Sequence, residues 1–256
     1  MKTETLAILS ILLISLCATV QSQPIFKNGF EKIIIPVVKL NDTGITWAGE
    51  YPSGNLTECN GTTTAPQDCN SGRDVTHNDD TDGHAGFSFT KLDPAGMPLE
   101  NQSVDYDTQP WSCVRDNVTG LVWEVKTTTA GIHNKDNTYK WGGITAIGLG
   151  HPDAGTYYSD WDDLVNGSNA GNGLCGFTDW RVPKVDELSG LANQGTFNPA
   201  IDTNYFPNTA SSGFWSSSPI ANNDSIAWIV FFDYGYDFNN NRVDVDRVRL
   251  VRSLGQ

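Results

Sequence analysis

The sequence predicts an α+β fold for an exported chain of 256 residues. Two short segments, Ser159 to Val165 and the run that begins at Pro183, space their apolar residues as amphipathic helices do. After them the pattern changes to short strands that Gly- and Asn-rich turns separate, including the apolar run Ala227–Phe232. Helices followed by turn-connected strands indicate antiparallel sheets, and therefore the α+β class.

The first residues have the order of a secretory signal peptide. Lys2 provides a positive start, Leu6–Ala18 is apolar, and Thr19–Gln23 is short and polar. The apolar run is shorter than the roughly 20 residues that a membrane-spanning helix needs. Residues 1–22 are therefore predicted to be a signal peptide, with an uncleaved anchor as the alternative. We expect a secreted, periplasmic or cell-surface protein with no membrane span after cleavage.

The charge of the chain restricts its partners. The formal net charge is −14, and an acidic protein repels phosphate backbones, so no nucleic acid partner is expected. Sulfated polysaccharides are disfavoured for the same reason. Neutral glycans, basic proteins and divalent cations remain open as ligands.

The cysteines indicate disulfides. Removal of Cys17 with the signal peptide leaves four, and an even number in an exported chain predicts two disulfides. Four cysteines allow three pairings. The preferred pairing joins Cys59 to Cys69 locally and Cys113 to Cys175 over a long range. There is no C-x-x-C, which argues against zinc-ribbon and thioredoxin-like chemistry.

The region before the predicted helices is divided into a leader and an extension. Residues 23–44 form a leader segment, in which Pro36 interrupts a β-prone stretch and indicates an edge strand at most. Residues 45–109 form a loop-rich extension, with disorder as the alternative for its polar part. Within it, Phe87–Leu92 alternates as a strand and ends at Asp93-Pro94.

The later strands follow from apolar runs between turns. Leu121–Val125 is predicted as a strand that begins after the turn at Asp116–Gly120. Beyond the second helix the predicted strands are Gly213–Trp215, Ala227–Phe232, Val243–Val245 and Val248–Val251.

Three stretches, Cys113–Lys126, Leu174–Leu188 and Phe214–Ser253, resemble a known family. They contain a GFTDWR-V-P-x-x-x-E-L element and, later, an R-x-R-L-V-R end in the same order as in that family. The resemblance is to the C-terminal domain family of the bacterial collagen-like adhesin Lcl, which occurs in secreted and surface proteins. It implies a C-type-lectin-like domain over residues 110–256.

The resemblance also assigns structural roles. It implies that Cys113 and Cys175 are bonded, and that Trp180 and Arg181 are structural, with Arg181 satisfying buried carbonyls. It further implies core positions for Trp123, Trp215 and Trp228. Calcium-dependent lectins hold calcium with a tripeptide of the Glu-Pro-Asn or Gln-Pro-Asp type and with a Trp-Asn-Asp element. This chain has neither motif, and Ser216-Ser217-Ser218 follows Trp215. A lectin-type calcium-dependent sugar site is therefore not expected.

Polar and aromatic residues between the late strands are the candidate ligand-binding residues. Tyrosine rings offer flat faces to sugars, and Asn and Asp side chains offer hydrogen bonds to hydroxyl groups. Loops on a rigid scaffold are where binding residues concentrate; simple hairpin turns are the alternative. The candidates are Asn222, Asn223, Asp224, Tyr234, Tyr236, Asp237, Asn239, Asn240 and Arg242.

The extension contains a candidate calcium loop. Asn78, Asp80 and Asp82 alternate before Gly83, as oxygen ligands do at the start of an EF-hand loop. The bidentate glutamate of such a loop is missing, and Asp74 and Asp79 are the nearby acids that are expected to contribute instead. A solvated acidic loop is the alternative.

Catalytic motifs are scarce. The chain has no G-x-S-x-G, phosphate-binding or H-E-x-x-H motif. We therefore expect a ligand-binding module that recognises an extracellular glycan or protein without catalysis. One alternative is an oxidoreductase like the formylglycine-generating enzymes, which share the general fold and use reactive cysteines. Another is a structural subunit of a surface assembly.

Overall fold

Antiparallel sheets dominate the computed structural model, which describes residues 39–50, 54–56, 67–77, 79–142 and 161–254. The strands in chain order are β1 (Ala48–Glu50), β2 (Gly54–Leu56), β3 (Phe89–Leu92), β4 (Cys113–Asp116), β5 (Leu121–Glu124), β6 (Gly213–Ile220), β7 (Asn223–Phe231), β8 (Tyr236–Asn241) and β9 (Val251–Ser253). The described α-helices are α1 (Trp161–Asn169) and α2 (Val185–Ser189). The α+β class is confirmed.

The main strands form two sheets. One sheet has the order β3-β4-β5-β9 and the other the order β6-β7-β8, with every pairing antiparallel. A small hairpin of β1 and β2 lies in the extension. Because β3 pairs with β4, residues on both sides of the predicted boundary near residue 110 share one sheet.

The central residues of β5 and β7 are buried on both faces of their sheets. Along β5, Val122 packs in one apolar cluster and Trp123 in a second; along β7, Ile229 and Val230 divide in the same way. A strand that is covered on both faces needs apolar residues at successive positions. This is why Leu121–Val125 and Ala227–Phe232 are continuous apolar runs in the sequence.

The helices cover opposite parts of the core. Leu164 of α1 is buried in the cluster that contains Trp180, and Leu188 of α2 is buried in the cluster that contains Trp123. Helix α2 lies within the predicted segment. Helix α1 continues to Asn169, beyond its predicted end at Val165.

The long-range disulfide is confirmed. The Cys113 and Cys175 sulfurs are bonded at 1.99 Å, across 62 residues, and both side chains are buried. The bond connects the first residue of β4 to the loop between α1 and α2. Cys69 is also disulfide-bonded. Since Cys59 lies outside the described residues, the pairing of Cys59 with Cys69 stays a prediction.

A buried charge cluster lies at the end of β5. The Glu124 carboxylate is fully buried and accepts hydrogen bonds from Lys126 Nζ at 2.8 Å and His133 Nδ1 at 2.8 Å. Its second oxygen accepts the Leu250 main-chain N–H at 2.8 Å. The buried Arg249 guanidinium donates to the Glu124 main-chain carbonyl at 2.6 Å. Glu124 thus holds Lys126, His133, Leu250 and Arg249 through its two carboxylate oxygens and its main-chain carbonyl.

These bonds tie the two sheets together. The segment that precedes β9 is held by Glu124 at Leu250, and three residues earlier Arg247 exchanges main-chain hydrogen bonds with Gly213 and Trp215 of β6. The first contact belongs to the four-stranded sheet and the second to the three-stranded sheet. The position of one sheet relative to the other therefore depends on where Glu124 fixes this segment.

Two strand predictions near the C-terminus were wrong in detail. Val243–Val245 is not a strand: the chain turns there, because Asp244 N–H donates to the Asn241 carbonyl at 3.0 Å and Asn241 Nδ2 donates to the Asp244 carboxylate at 3.1 Å. Of Val248–Val251, only Val251 belongs to a strand. Tyr236–Asn241, predicted as loop, is instead strand β8, because six consecutive residues pair with β7.

Two structural roles also differ from expectation. Arg181 does not satisfy buried carbonyls: its guanidinium is partly exposed and pairs with Glu187 at 2.7 and 2.8 Å. Arg249 has that role instead. Trp123, Trp180 and Trp215 are buried as expected. Trp228 is only half-buried.

The predicted signal peptide, most of the predicted leader and the Ser159 helix start lie outside the described residues. Within the described part of the chain, no helix combines the length and apolar character that crossing a membrane requires.

Substitution of Glu124 by Gln tests the buried cluster. Burial alone would raise the pKa of Glu124, but the attraction of Lys126 and the hydrogen bonds from His133 and Lys126 outweigh it and lower that pKa to about 2. Removing the carboxylate charge leaves Lys126 buried without a counter-charge. We expect the free energy of unfolding at pH 7 to fall by about 3–5 kcal/mol in urea denaturation.

The lowered pKa of Glu124 also predicts how the loss of stability in Glu124→Gln depends on pH. A carboxyl whose pKa is lowered on folding stabilises the protein above its ordinary value of 4.5, and this stabilisation is lost as the pH falls toward about 2. The difference between wild type and Glu124→Gln should therefore shrink over that range. The exposed Asp136→Asn is the control and should change stability by at most about 0.5 kcal/mol. Equal effects of the two substitutions would contradict the account.

Candidate functional site

The nine candidate ligand-binding residues lie on and around the β7–β8 hairpin, but not at one place. Asn222, Asn223, Asp224 and Arg242 lie together where β7 begins and β8 ends. Tyr234 and Tyr236 lie at the opposite end, at the turn from β7 to β8. Arg242 is six positions after Tyr236 along extended chain, which corresponds to about 20 Å.

The polar end of the hairpin forms an open cavity of about 490 Å³, lined by Ile220, Asn222, Asn223, Asp224 and Arg242. Asn222 has a φ of 63° in the turn, a conformation that Asn tolerates well. Asn223 Oδ1 accepts the Ser225 N–H at 3.0 Å. These interactions shape the turn, so part of the polar character here serves the backbone.

Arg242 is fixed at the same end. Its Nε donates to the Ile226 carbonyl at 3.1 Å, and its guanidinium carbon lies 4.1 Å from the centre of the Trp141 ring. In this stacked position Arg242 lines the cavity together with Asp224.

The opposite end carries an exposed aromatic patch, which we define as Phe197, Tyr234, Tyr236 and Phe238. Their exposed fractions are 68%, 62%, 44% and 56%. Phe197 and Tyr234 stack, with ring centres 6.3 Å apart and an interplanar angle of 12°. Tyr236 stacks on the half-buried Phe231 of β7 at 5.2 Å. The patch therefore projects from rings that are already held in place.

The local chain explains why these rings meet. Gly235 has a φ of 75°, and a Cβ there would lie 3.2 Å from the Ala200 side chain, so only glycine lets the turn pack this closely. The segment that carries Phe197 bonds to the turn: Asn198 N–H donates to the Asp233 carbonyl at 2.8 Å, and Ala200 N–H donates to the Phe232 carbonyl at 2.7 Å. Phe197 is thereby placed beside Tyr234.

The remaining candidates lie along β8 between the two ends. Asp237 is exposed opposite Val230. Asn239 is half-buried opposite Trp228. Asn240 Nδ2 donates to the Asp246 carboxylate at 2.8 Å, so this side chain is occupied in a structural bond.

A separate polar cleft of about 620 Å³ was missed from the sequence. It lies beside Lys91, which is buried, donates from Nζ to the Val104 carbonyl at 2.8 Å, and lies 4.2 Å from the centre of the Trp111 ring. Burial lowers the pKa of Lys91, against the attraction of Asp105. Lys91 is two residues from the buried Phe89 on the same strand, and this inward lysine was the available sequence signal.

The predicted calcium ligands do not share one loop. Asp80 and Asp82 are exposed: Asp80 accepts the Ala85 N–H at 3.1 Å, and Asp82 accepts the Ser88 hydroxyl. Asp74 is buried. Asn78 lies outside the described residues. Over the described ranges, no group of three or more His, Cys, Asp or Glu side chains is arranged to hold a metal ion.

The fold and these features define an α+β domain with a long-range disulfide and a hairpin that presents aromatic and polar ends. The family model of the Lcl C-terminal domain matches residues 112–252, more than half of the chain. The protein therefore belongs to the Lcl C-terminal domain family, as its motifs had indicated. Membership of this family suggests a surface or adhesin-related module. No curated protein matches the chain.

Proposed function

We propose that the protein is an exported recognition module, secreted, periplasmic or at the cell surface, that binds an extracellular ligand without catalysis. The observation that carries the proposal is the aromatic patch. Four large aromatic side chains, each more than 40% exposed, lie near one end of the hairpin, and two of them, Phe197 and Tyr234, stack on each other. Exposed aromatic surface of this kind is characteristic of interaction sites.

The patch suits a sugar ring better than a purely apolar ligand. Tyr234 and Tyr236 combine a flat apolar face with a hydroxyl group. Asp237 and Asn239 alternate with Tyr236 along β8 and offer hydrogen-bonding groups on the other face of that strand. Because the rings are already stacked on Phe197 and Phe231, little side-chain freedom is lost on binding.

The charge around the patch favours a neutral glycan. Asp233 and Asp237 flank the tyrosines, and the whole chain carries a net charge of −14. Acidic groups repel sulfate and carboxylate groups of a ligand, so anionic polysaccharides are poor candidates. The alternative partner is an extracellular protein that docks an apolar or basic surface on the same rings.

The lectin-like form of the fold is also part of the proposal. It is supported by the family membership, the two short helices, the antiparallel sheets and the disulfide between Cys113 and Cys175. In this proposal the ligand site is set by aromatic stacking, not by a sugar-bound calcium ion.

Binding by the patch is tested with the mature protein on an array of neutral and sulfated glycans, followed by calorimetry with the best neutral binder. We expect saturable binding of a neutral glycan. Tyr234→Ala and Tyr236→Ala should each weaken it at least about tenfold, because each removes a stacking ring.

Asn223→Ala and Asp224→Ala at the opposite end of the same hairpin are the matched controls and should leave the affinity within about twofold. If these controls lose binding while the tyrosine variants keep it, the polar cavity is the site. If the folded protein binds no glycan but binds a defined extracellular protein through the tyrosines, the ligand is a protein and not a glycan. Saturable binding that neither the tyrosine variants nor the control variants weaken would overturn the assignment of the site to the hairpin.

Thiol content separates this proposal from an oxidoreductase like the formylglycine-generating enzymes. That chemistry needs reactive cysteine thiols, whereas Cys69, Cys113 and Cys175 are disulfide-bonded. We expect no free thiol when the mature protein is titrated in denaturant without reductant. Mass spectrometry of the same sample should first establish that Cys17 has been removed. One or two titratable thiols in the mature chain would favour the oxidoreductase.

A further inference from the structure

An acidic site in the extension is distinct from the hairpin and from the exposed acidic loop. It is formed by Asp42 and Asp74, with Asp68 alongside. Asp42 and Asp74 are each only 7% exposed. Asp42 Oδ2 accepts the Asp74 main-chain N–H at 2.9 Å, which brings two distant segments of chain together.

One oxygen of this site has no partner. Asp74 Oδ1 is buried and receives no hydrogen bond, while Asp42 Oδ1 accepts the Thr43 N–H at 2.8 Å and Asp68 accepts the Thr43 hydroxyl. A buried carboxylate oxygen without a donor or a counter-charge is costly, and in proteins such groups are paired or bound to metal ions.

Three oxygens lie close together beside Gly72. A Cβ on Gly72 would lie 2.8 Å from Asp74 Oδ1, 2.9 Å from Asp42 Oδ2 and 3.0 Å from the Asp68 main-chain oxygen. A side chain at this position would therefore collide with the oxygens. Gly72 itself has a φ of −68°, which any residue adopts, so its lack of a side chain matters here for space and not for backbone conformation.

Among the described residues, no positively charged side chain forms an ion pair with these carboxylates. The adjacent Arg73 directs its Nη1 to the Gly86 carbonyl at 2.6 Å. None of the ion pairs found in the described part of the chain includes these three aspartates. Burial raises the pKa of Asp74, and repulsion by Asp42 and Asp68 raises it further.

We propose that the Asp42 and Asp74 carboxylates bind a calcium ion, which completes its shell of six to eight oxygens with water. The Asp68 main-chain carbonyl lies beside them but already accepts the Ser71 N–H at 2.8 Å and the Gly72 N–H at 2.5 Å. The inference is independent of the proposed glycan site. It places the cation where the extension meets the domain, since the neighbouring Asn41 Nδ2 donates to the Asp116 carboxylate at 2.5 Å and to the Gly190 carbonyl at 3.1 Å.

Calorimetry with the chelator-treated full mature chain and CaCl2 tests the proposal. We expect one saturable site with a Kd of about 10⁻⁴ to 10⁻³ M, the range of extracellular calcium modules. For a Kd of about 1 mM, 10 mM CaCl2 should raise the Tm by about 3–6 °C. Asp74→Asn should abolish both effects. The control, Asp82→Asn, makes the same charge change in the exposed loop and should keep both.

The calcium-free stability of Asp74→Asn distinguishes a cation site from a structural carboxylate. Asp74 is buried and its Oδ1 accepts no hydrogen bond, so removing its charge should leave the calcium-free Tm equal to or above that of wild type. Gly72→Ala, which keeps every carboxylate but fills the space between them, should also lose calcium binding.

Three results would overturn the proposal. One is the absence of calcium binding to the wild type. A second is binding that survives Asp74→Asn but is lost in Asp82→Asn, which would assign the ion to the exposed loop. The third is a calcium-free Tm of Asp74→Asn well below that of wild type, which would make the carboxylate a structural group.

Discussion

The buried Glu124 carboxylate is the interaction on which the arrangement of the two sheets depends. It lies at the end of β5, joins Lys126 and His133, and holds the main chain at Leu250. That chain continues directly from the residues that bond to β6. Apolar packing alone is non-directional, whereas these bonds fix one register between the sheets. The neighbouring Cys113–Cys175 disulfide limits the unfolded chain without specifying that register.

This scaffold explains where binding can occur. The central strands of the main sheets are covered on both faces, so the hairpin ends and the edge strand β8 are where the late strands present side chains to solvent. Gly235 lets the turn pack closely against Ala200, and this contact supports the aromatic patch. The acidic site proposed around Asp74 lies elsewhere, beside the contacts of Asn41 with Asp116 and Gly190. The proposed recognition and the proposed calcium binding therefore use separate parts of the chain.

Local patterns predicted the strands whose continuous apolar residues indicate burial. Long-range contacts determined the strands and side-chain positions that were missed. Leu121–Val125 and Ala227–Phe232 were recognisable because both faces of those strands are buried. Strand β8 was missed because Tyr236–Asn241 gains its conformation from pairing with β7, not from its own apolar pattern. The tyrosines were named from sequence, but Phe197 was not, because it reaches Tyr234 only through the fold. Arg249 and Arg181 were likewise indistinguishable until the position of Glu124 was known.

Native-state hydrogen exchange at the Leu250 amide tests the central claim most directly. Leu250 lies outside every strand, and its N–H donates to the Glu124 side chain. If Glu124 fixes the joint between the sheets, this amide exchanges only through global unfolding, with the same free energy as the amides of β5. Exchange of the Leu250 amide by local opening, orders of magnitude faster than in β5, would contradict the account.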